Sequence, residues 1–339
     1  MLRPSHTRAL GCTALAVAMT ASAVEVASAT ESVGANRAPQ LPYATTLTAT
    51  LHRPSVAPAR DAKGGAVLYV LVNNGQHHQS YIALFHAYAK SPKPFARISR
   101  GIRNPTSIWV DASGNLYVGN SLTYHSSVVM YAPGSLAPTR TYTTNVDLPF
   151  GGTLDAPGNM YVSDAGIPNS IEGGVAVYLP GASAPDHYLN QNVHVPHGVA
   201  VDASGNVFLA DIWGVTYTAV VEFIGGSQTG TILPLDNLGG SFLEDLKLDA
   251  AGDIVVADAT RNAVRFYPPP YAHQSMALTA GLSAPSGLAY GPDGSLFVAN
   301  EYVNVNTGNV VVFAPGSNVP TRTIATGIVG GVLGVAVSP

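Results

Sequence analysis

From residue 64 onward, short apolar runs alternate with clusters of Gly, Pro, Asn and Asp, and the alternation itself recurs along the chain. Runs such as SIWVD, NLYVGN and VVMYAPG are rich in β-branched and aromatic residues and are bounded by turn residues, a pattern that predicts strands rather than helices. The strands come in units that begin NPTSIWVDASGNLYVGN (104–120), PFGGTLDAPGNMYVSD (149–164), PHGVAVDASGNVFLAD (196–211), FLEDLKLDAAGDIVVAD (242–258) and PSGLAYGPDGSLFVAN (285–300). Their turn glycines Gly114, Gly158, Gly205, Gly252 and Gly294 recur every 42 to 47 residues, a period typical of propeller blades. Within a unit, a first strand meets a tight loop ending in Gly, and a second strand follows at once. A third strand ends in an aromatic, read at Tyr131, Tyr178, Phe223, Phe266 and Phe313. A fourth, more polar strand (TRTYTT, 139–144; TRTIAT, 321–326) is expected to face water as an outer edge.

The two ends of this region are complementary. The chain finishes with GVLGVAVSP, which matches only a first strand, whereas repetition begins with GGAVLYVLVNN (64–74), which matches only a second. Strand 332–337 is therefore expected to pair with strand 66–72 and complete a sixth unit. The fold class that follows is all-β, a six-bladed β-propeller of four-stranded antiparallel blades, closed by pairing of the N- and C-terminal strands. Ring closure is the physical reason for the arrangement, because it buries both faces of every blade against two neighbours.

Composition narrows the partners. Hydrophobic residues make up 46% and charged residues 11% of the chain, enough apolar surface for a core and too little charge for disorder. With a formal net charge of −4 and only 16 Lys plus Arg, there is no basic field for a phosphate backbone, so nucleic acid is not an expected partner. At the N-terminus, Arg3, His6 and Arg8 precede a largely apolar run from Ala9 to Met19, and Ala27-Ser28-Ala29 has the small-x-small pattern of a cleavage site. Residues 1–29 are expected to be a signal peptide, 30–63 a linker in which 44–51 is a candidate extra strand, and 64–339 the propeller. The apolar run is short for a membrane span, so stable membrane insertion is not expected and the mature protein should be secreted or periplasmic. Cys12, the one cysteine, lies inside that signal, which removes disulfides and thiol chemistry from the mature chain.

The repeat resembles the NHL family, whose units read Pro-x-Gly-hydrophobic-Ala-hydrophobic-Asp followed by Gly-Asn-hydrophobic-Tyr-Val-Ala-Asp, and the likeness spans residues 64–339. Propellers similar to these include gluconolactonase-like metal-dependent lactonases, peptide-amidating lyases, streptogramin-inactivating lyases and many secreted binding proteins. In the gluconolactonase-like enzymes, carboxylates and Asn at the middle of Pro-x-Gly hold the metal. The resemblance carries that position onto Thr106, Phe150, His197, Glu244, Ser286 and Leu333. Of these only Glu244 is a natural ligand for a hard cation, with Asp245 beside it and His197 on the neighbouring blade. If a divalent cation is held, the possible ligands are Glu244, Asp245 and His197, and calcium is favoured over zinc.

Two rings of residues carry candidate chemistry. One lies at the ends of the second strands: Asn73, Asn120, Asp164, Asp211, Asp258 and Asn300. It reads either as a repeated structural cap of the next turn or as an acidic mouth, with Asp211 and Asp258 as ligand-binding candidates. The other ring is the middle of Pro-x-Gly, where departures from the repeat are informative because the repeat cannot explain them. Leu243-Glu244-Asp245 replaces Pro-x-Gly in the fifth blade, and His197 stands at the same position of the fourth. The acids read either as ligands or as partners of Arg261 and Lys247, and His197 as a ligand, a base or a channel residue. The loops after the second strands add Gln76-His77-His78, Tyr124-His125, Ile212-Trp213 and Asn300-Glu301-Tyr302, groups suited to a polar ligand. The residues favour a non-catalytic module for a small molecule, glycan or protein. The alternative is a metal-assisted, lactonase-like hydrolase or lyase with its site at the channel mouth.

Overall fold

Each repeat folds as one antiparallel sheet because its first hairpin is closed by chemistry written into the DASGN-type turn. Asp111 Oδ1 accepts the Ser113 and Asn115 amides at 2.9 and 2.8 Å, and its Oδ2 accepts Asn115 Nδ2 at 2.8 Å. Gly114, with φ of +80°, takes the left-handed position that this turn requires. Asp155, Asp202 and Asp249 receive turn amides in the same way.

The computed structural model describes residues 65–74, 79–122, 126–143, 145–166, 173–213, 217–304 and 307–339, without the side chains of Trp213 and Asn304. The chain divides into two units, Met1–Leu51 and His52–Pro339, and all described residues belong to the second. The expected signal peptide (1–29) and linker (30–63), together with Gln76-His77-His78 and Tyr124-His125, lie outside the described residues.

Six four-stranded sheets are formed, each with first to fourth strands in order from one edge to the other. Blade 1 comprises Gly331–Val337, Val67–Asn73, Tyr81–His86 and Ala96–Ile98. Blade 2 comprises Pro105–Val110, Leu116–Asn120, Ser127–Tyr131 and Arg140–Tyr142, and blade 3 Pro149–Leu154, Met160–Asp164, Gly174–Tyr178 and His187–Leu189. Blade 4 comprises Val195–Val201, Val207–Trp213, Tyr217–Phe223 and Thr231–Ile232. Blade 5 has Leu243–Leu248, Ile254–Asp258, Ala263–Tyr267 and Met276–Leu278, and blade 6 has Pro285–Tyr290, Leu296–Asn304, Thr307–Phe313 and Pro320–Ile324. This is the six-bladed propeller expected from the repeat. Its closing blade pairs Leu68 with Val337 through to Val72 with Val332, and Ser338 extends the clasp by accepting the Val67 amide on its Oγ at 2.9 Å.

The core lies between sheets, where apolar side chains of one blade pack on the next. Tyr131, Tyr178, Phe223 and Phe313 are almost fully buried, and burying an aromatic of this kind contributes about 1.5–3 kcal/mol. Blade 5 differs from the expected beat by one residue: Tyr267, not Phe266, stands opposite the first residue of the second strand, as Tyr131 and Phe313 do in their blades. Successive strand residues face opposite sides of the sheet, so this single step decides which aromatic enters which interface. The fourth strands are also more than a wetted edge. Arg140 donates to the Gly181 and Ala182 carbonyls of blade 3 at 2.8 and 2.7 Å, and Arg322 reaches the Ala87 and Ala89 carbonyls of blade 1.

The innermost strands approach so closely that the Gly of Pro-x-Gly has no room for a side chain. A Cβ at Gly198 would collide with the Asp245 and Leu246 backbone of blade 5, and one at Gly287 would lie 2.7 Å from Gly334 Cα. This packing fixes the spacing of the middle residues around the channel mouth.

Candidate functional site

The ends of the second strands and the starts of the first strands share one rim, since Pro105 pairs with Asn120, Pro149 with Asp164, Pro196 with Asp211, Leu243 with Asp258 and Pro285 with Asn300. The two rings at this rim do different work.

In blades 2 to 6 the Asx ring faces the loop that brings the chain into the blade, whereas Asn73 of blade 1 accepts Ser80 Oγ at 3.2 Å. Asn120 accepts the Arg103 amide and donates Nδ2 to the Gly101 carbonyl, both at 2.9 Å. Asn300 accepts from Ser283 and donates to Gly281 in the same geometry. Where the blade carries Asp, the loop offers donors at both oxygens. Asp164 accepts the Asp147, Leu148 and Gly166 amides, and Asp211 accepts both the amide and Nδ1 of His194 at 2.9 Å. Asp258 receives Ser241 Oγ at 2.7 Å, Arg265 at 3.1 Å and Arg261 at 3.3 Å. Asp164, Asp211 and Asp258 are 0% exposed. Burial pushes the Asp164 and Asp211 carboxyls above the usual carboxylate range, against the pull of their amide donors and, at Asp211, of His194. Asp211 and Asp258 therefore sit inside the loop clasp and not with the other candidate residues.

The middle ring is irregular, and its irregular members meet. Thr106 Oγ1 donates to the Pro149 carbonyl at 2.6 Å and Ser286 Oγ to the Val332 carbonyl at 2.6 Å, so both tie neighbouring inner strands together. Phe150, His197 and Glu244 instead form a continuous patch across blades 3, 4 and 5. The His197 ring stacks on Phe150 with centroids 4.8 Å apart and planes 5° apart, and meets Phe242 edge-on at 5.3 Å. His197 Nδ1 stands 3.6 Å from Glu244 Oε2. The imidazole side chain is 9% exposed and the Glu244 carboxylate 28%.

The two acids of blade 5 separate. Asp245 occupies the Gly position, and its Oδ2 accepts the Leu288 amide of blade 6 at 2.9 Å while Oδ1 holds Lys247 at 2.6 Å and the Leu246 amide at 2.8 Å. Glu244 is left with His197 at the mouth. Glu301 lies on the long second strand of blade 6. Burial first, and the Glu244 charge next, push the Glu301 carboxyl upward, and the neighbouring Tyr302 hydroxyl pulls the other way. Among the described residues no group of three or more His, Cys, Asp or Glu is arranged to hold a metal ion, and no helix is long and apolar enough to cross a membrane. A separate cleft of about 220 Å³ lies between blades 2 and 3, lined by Tyr117, Arg140, Tyr142 and Met160 beside the DASGN turn, at the other end of these strands from the rim.

Phe242 is the member that sequence reasoning did not select, and Glu301 entered only with the loop groups after the second strands. Glu301 carried a usable signal. It directly follows the Asx ring, where the other blades have Asn74, Ser121, Ala165, Ile212 and Ala259, so it breaks the repeat as Glu244 does.

No protein-family profile matches the chain, and no curated protein matches it. Solved structures do. A chain from the crystal structure of a nidogen/laminin complex is 16% identical with a TM-score of 0.62, covering 81% of this chain and 99% of that one. A protein of unknown function from Bacteroides caccae is 12% identical with a TM-score of 0.60 and the same coverage. At these identities the likeness is one of fold, a β-propeller.

Proposed function

We propose that the chain is an exported NHL-type propeller that binds a small molecule at its channel mouth without transforming it. The observation that carries this reading is the convergence of the positions that break the repeat. Phe150, His197 and Glu244 lie at equivalent places in three successive blades and form one surface, while the equivalent Thr106 and Ser286 hold blades together. Aromatic faces with a few converging polar groups are the usual lining of a small-molecule site. A binding role is favoured over metal-assisted hydrolysis because Asp245, one of the three candidate ligands, is turned into the interface between blades 5 and 6. The test is a thermal-melting screen of purified protein against neutral sugars, amines, short peptides and calcium chloride. A ligand that binds the native state raises the melting temperature. The reading expects a small molecule whose shift is present in the wild type and absent in His197→Ala. Turnover of that molecule, or a shift produced only by calcium, would replace binding with catalysis or metal ligation.

A further inference from the structure

Two seams between blades are built alike, and one of them is open. In blade 2 Tyr117 pairs with Met130 and Met130 with Arg140, and in blade 6 Phe297, Val312 and Arg322 make the same row. Each arginine crosses to the turn after the neighbour's third strand, Arg140 to the Gly181 and Ala182 carbonyls and Arg322 to those of Ala87 and Ala89. The two turns correspond residue for residue. Tyr178 stands opposite Met160 as Phe85 stands opposite Leu68, and the amides of Ala182 and Ala89 return to the carbonyls of Leu179 and His86. Tyr88 of blade 1 therefore has Gly181 as its counterpart in blade 3. Tyr88 sets its ring edge-on to Phe297, with centroids 6.4 Å apart, and donates its hydroxyl to Asp293 Oδ1 of blade 6 at 3.0 Å. Gly181 has no side chain to offer, and the corresponding seam between blades 2 and 3 holds the cleft of about 220 Å³.

We propose that this cleft binds the phenyl ring of a small aromatic molecule, in the place that Tyr88 of the chain itself fills between blades 6 and 1. The walls suit a ring. Tyr117 is held flat by Trp109, stacked at 5.6 Å with planes 5° apart. Trp109 has room because blade 3 carries Gly152, where a Cβ would lie 2.4 Å from the indole, in place of the Val199, Leu246 and Leu288 of other blades. The Arg140 guanidinium lies over Tyr142, 4.5 Å from the ring centroid, and Met130 and Met160 stand where the closed seam has Val312 and Leu68. Guanidinium and thioether groups both favour contact with an aromatic ring. A cavity of about 150 Å³ already takes benzene, so the space suffices for one ring. The far end of that ring carries no polar group. A Cβ at Gly291 would lie 2.5 Å from the Tyr88 hydroxyl, and blade 2 has Asp111 at the place of Gly291. Both Asp111 oxygens already have donors, Oδ1 the Ser113 and Asn115 amides and Oδ2 Asn115 Nδ2 and the Tyr117 hydroxyl, so a ligand hydroxyl would meet an occupied carboxylate. The cleft lies at the other end of the strands from the channel mouth, and its occupation is independent of the mouth.

The experiment is an NMR titration of the purified protein, its methionine methyls isotope-labelled, with benzyl alcohol, cyclohexylmethanol and p-hydroxybenzyl alcohol. Met130 and Met160 report on the cleft, and Met276 in blade 5 is the internal control. Benzyl alcohol should shift the Met130 and Met160 methyls saturably and leave Met276 unmoved. Cyclohexylmethanol has the bulk without the π face and should bind about tenfold more weakly. The p-hydroxyl should weaken binding by about tenfold as well, because it is desolvated without a partner. The double variant Pro180→Ala with Gly181→Tyr gives blade 3 the Ala-Tyr pair of blade 1 and should abolish the shifts while keeping the melting temperature. His197→Ala, at the mouth, should leave them unchanged. The inference is overturned if the wild type shows no saturable shift, if benzyl alcohol binds no better than either of the other probes, or if the shifts are lost in folded His197→Ala. Those comparisons decide even where the double variant fails to fold, and shifts that persist in a folded double variant would overturn it too.

Discussion

Two rings of side chains stand at the same rim of this propeller, and only one of them varies in kind. The Asx ring carries Asn or Asp in every blade, and in blades 2 to 6 each side chain is directed into a loop clasp. The middle ring carries Thr, Phe, His, Glu, Ser and Leu, and its variable members face one another. In a repeat protein, a residue type present in all copies answers a need that all copies share. A departure from it answers a need of the whole ring. The comparison also separates two neighbouring acids: Asp245 stands at the Gly position and bridges blades, whereas Glu244 stands at the middle position and faces the mouth.

The comparison breaks most sharply at Asp258. Its carboxylate is the counter-charge of Arg265, which is 2% exposed. Asp258→Ala leaves that guanidinium buried without its counter-charge, held only by neutral acceptors such as Gln274 and the Asn237 carbonyl, and should cost about 3–5 kcal/mol, read as a shift in guanidinium chloride midpoint. A cost below about 1 kcal/mol would mean that the ring is not structural there.

The choice between Asn and Asp sharpens it further. Asn120 must donate to the Gly101 carbonyl, so Asn120→Asp sets a carboxylate against a carbonyl oxygen and should destabilise by about 1–3 kcal/mol. Urea unfolding of this variant beside Asn120→Ala tests the point. If the Asp variant is the more stable of the two, the clasp does not depend on the donor.

The middle ring should behave in the opposite way. Glu244→Gln removes a charge that holds no described structural partner apart from the 3.6 Å approach of His197. Its unfolding free energy should stay within about 0.5 kcal/mol of wild type, while ligand binding falls. Loss of stability comparable to that of the Asx variants would erase the distinction between the rings.

The smallest effect is a pH dependence at Glu301. Its carboxyl titrates above the usual range because it is buried and feels the Glu244 charge, with Tyr302 opposing. A raised carboxyl means that the folded state holds its proton longer than the unfolded chain. Stability from this group is therefore present below the ordinary Glu range and is lost as pH rises through the folded value. The advantage of Glu301→Gln over wild type should appear only as pH increases through that interval, in melting curves run across acid to neutral pH. A difference that does not change with pH would show that Glu301 is not held in this way.

Much of the fold was legible because its causes are local and repeated. The DASGN turn, the alternating strands and the complementary half-units at the two ends are each written within a few residues, and copies at a fixed period reinforce one another. The fourth strands are the outer edges expected, but the reach of their arginines into the next blade was not legible, because acceptors such as the Ala89 carbonyl for Arg322 lie 233 residues away. The blade 5 aromatic was misplaced by one residue because Phe266 and Tyr267 are adjacent and only strand register distinguishes their faces. The site was partly legible. His197 and Glu244 stood out as breaks in the repeat, and Glu301 obeyed the same rule from a different ring.

By itself the sequence determined the number of blades, the turn chemistry and the closure, since these depend on which residues follow one another. Only the tertiary structure decided that Phe150 stacks on His197 and that Asp245 leaves Glu244 for blade 6. These are contacts between separate sheets. They depend on how tightly the inner strands close at positions such as Gly198, and strand alternation and turn motifs carry no measure of that distance.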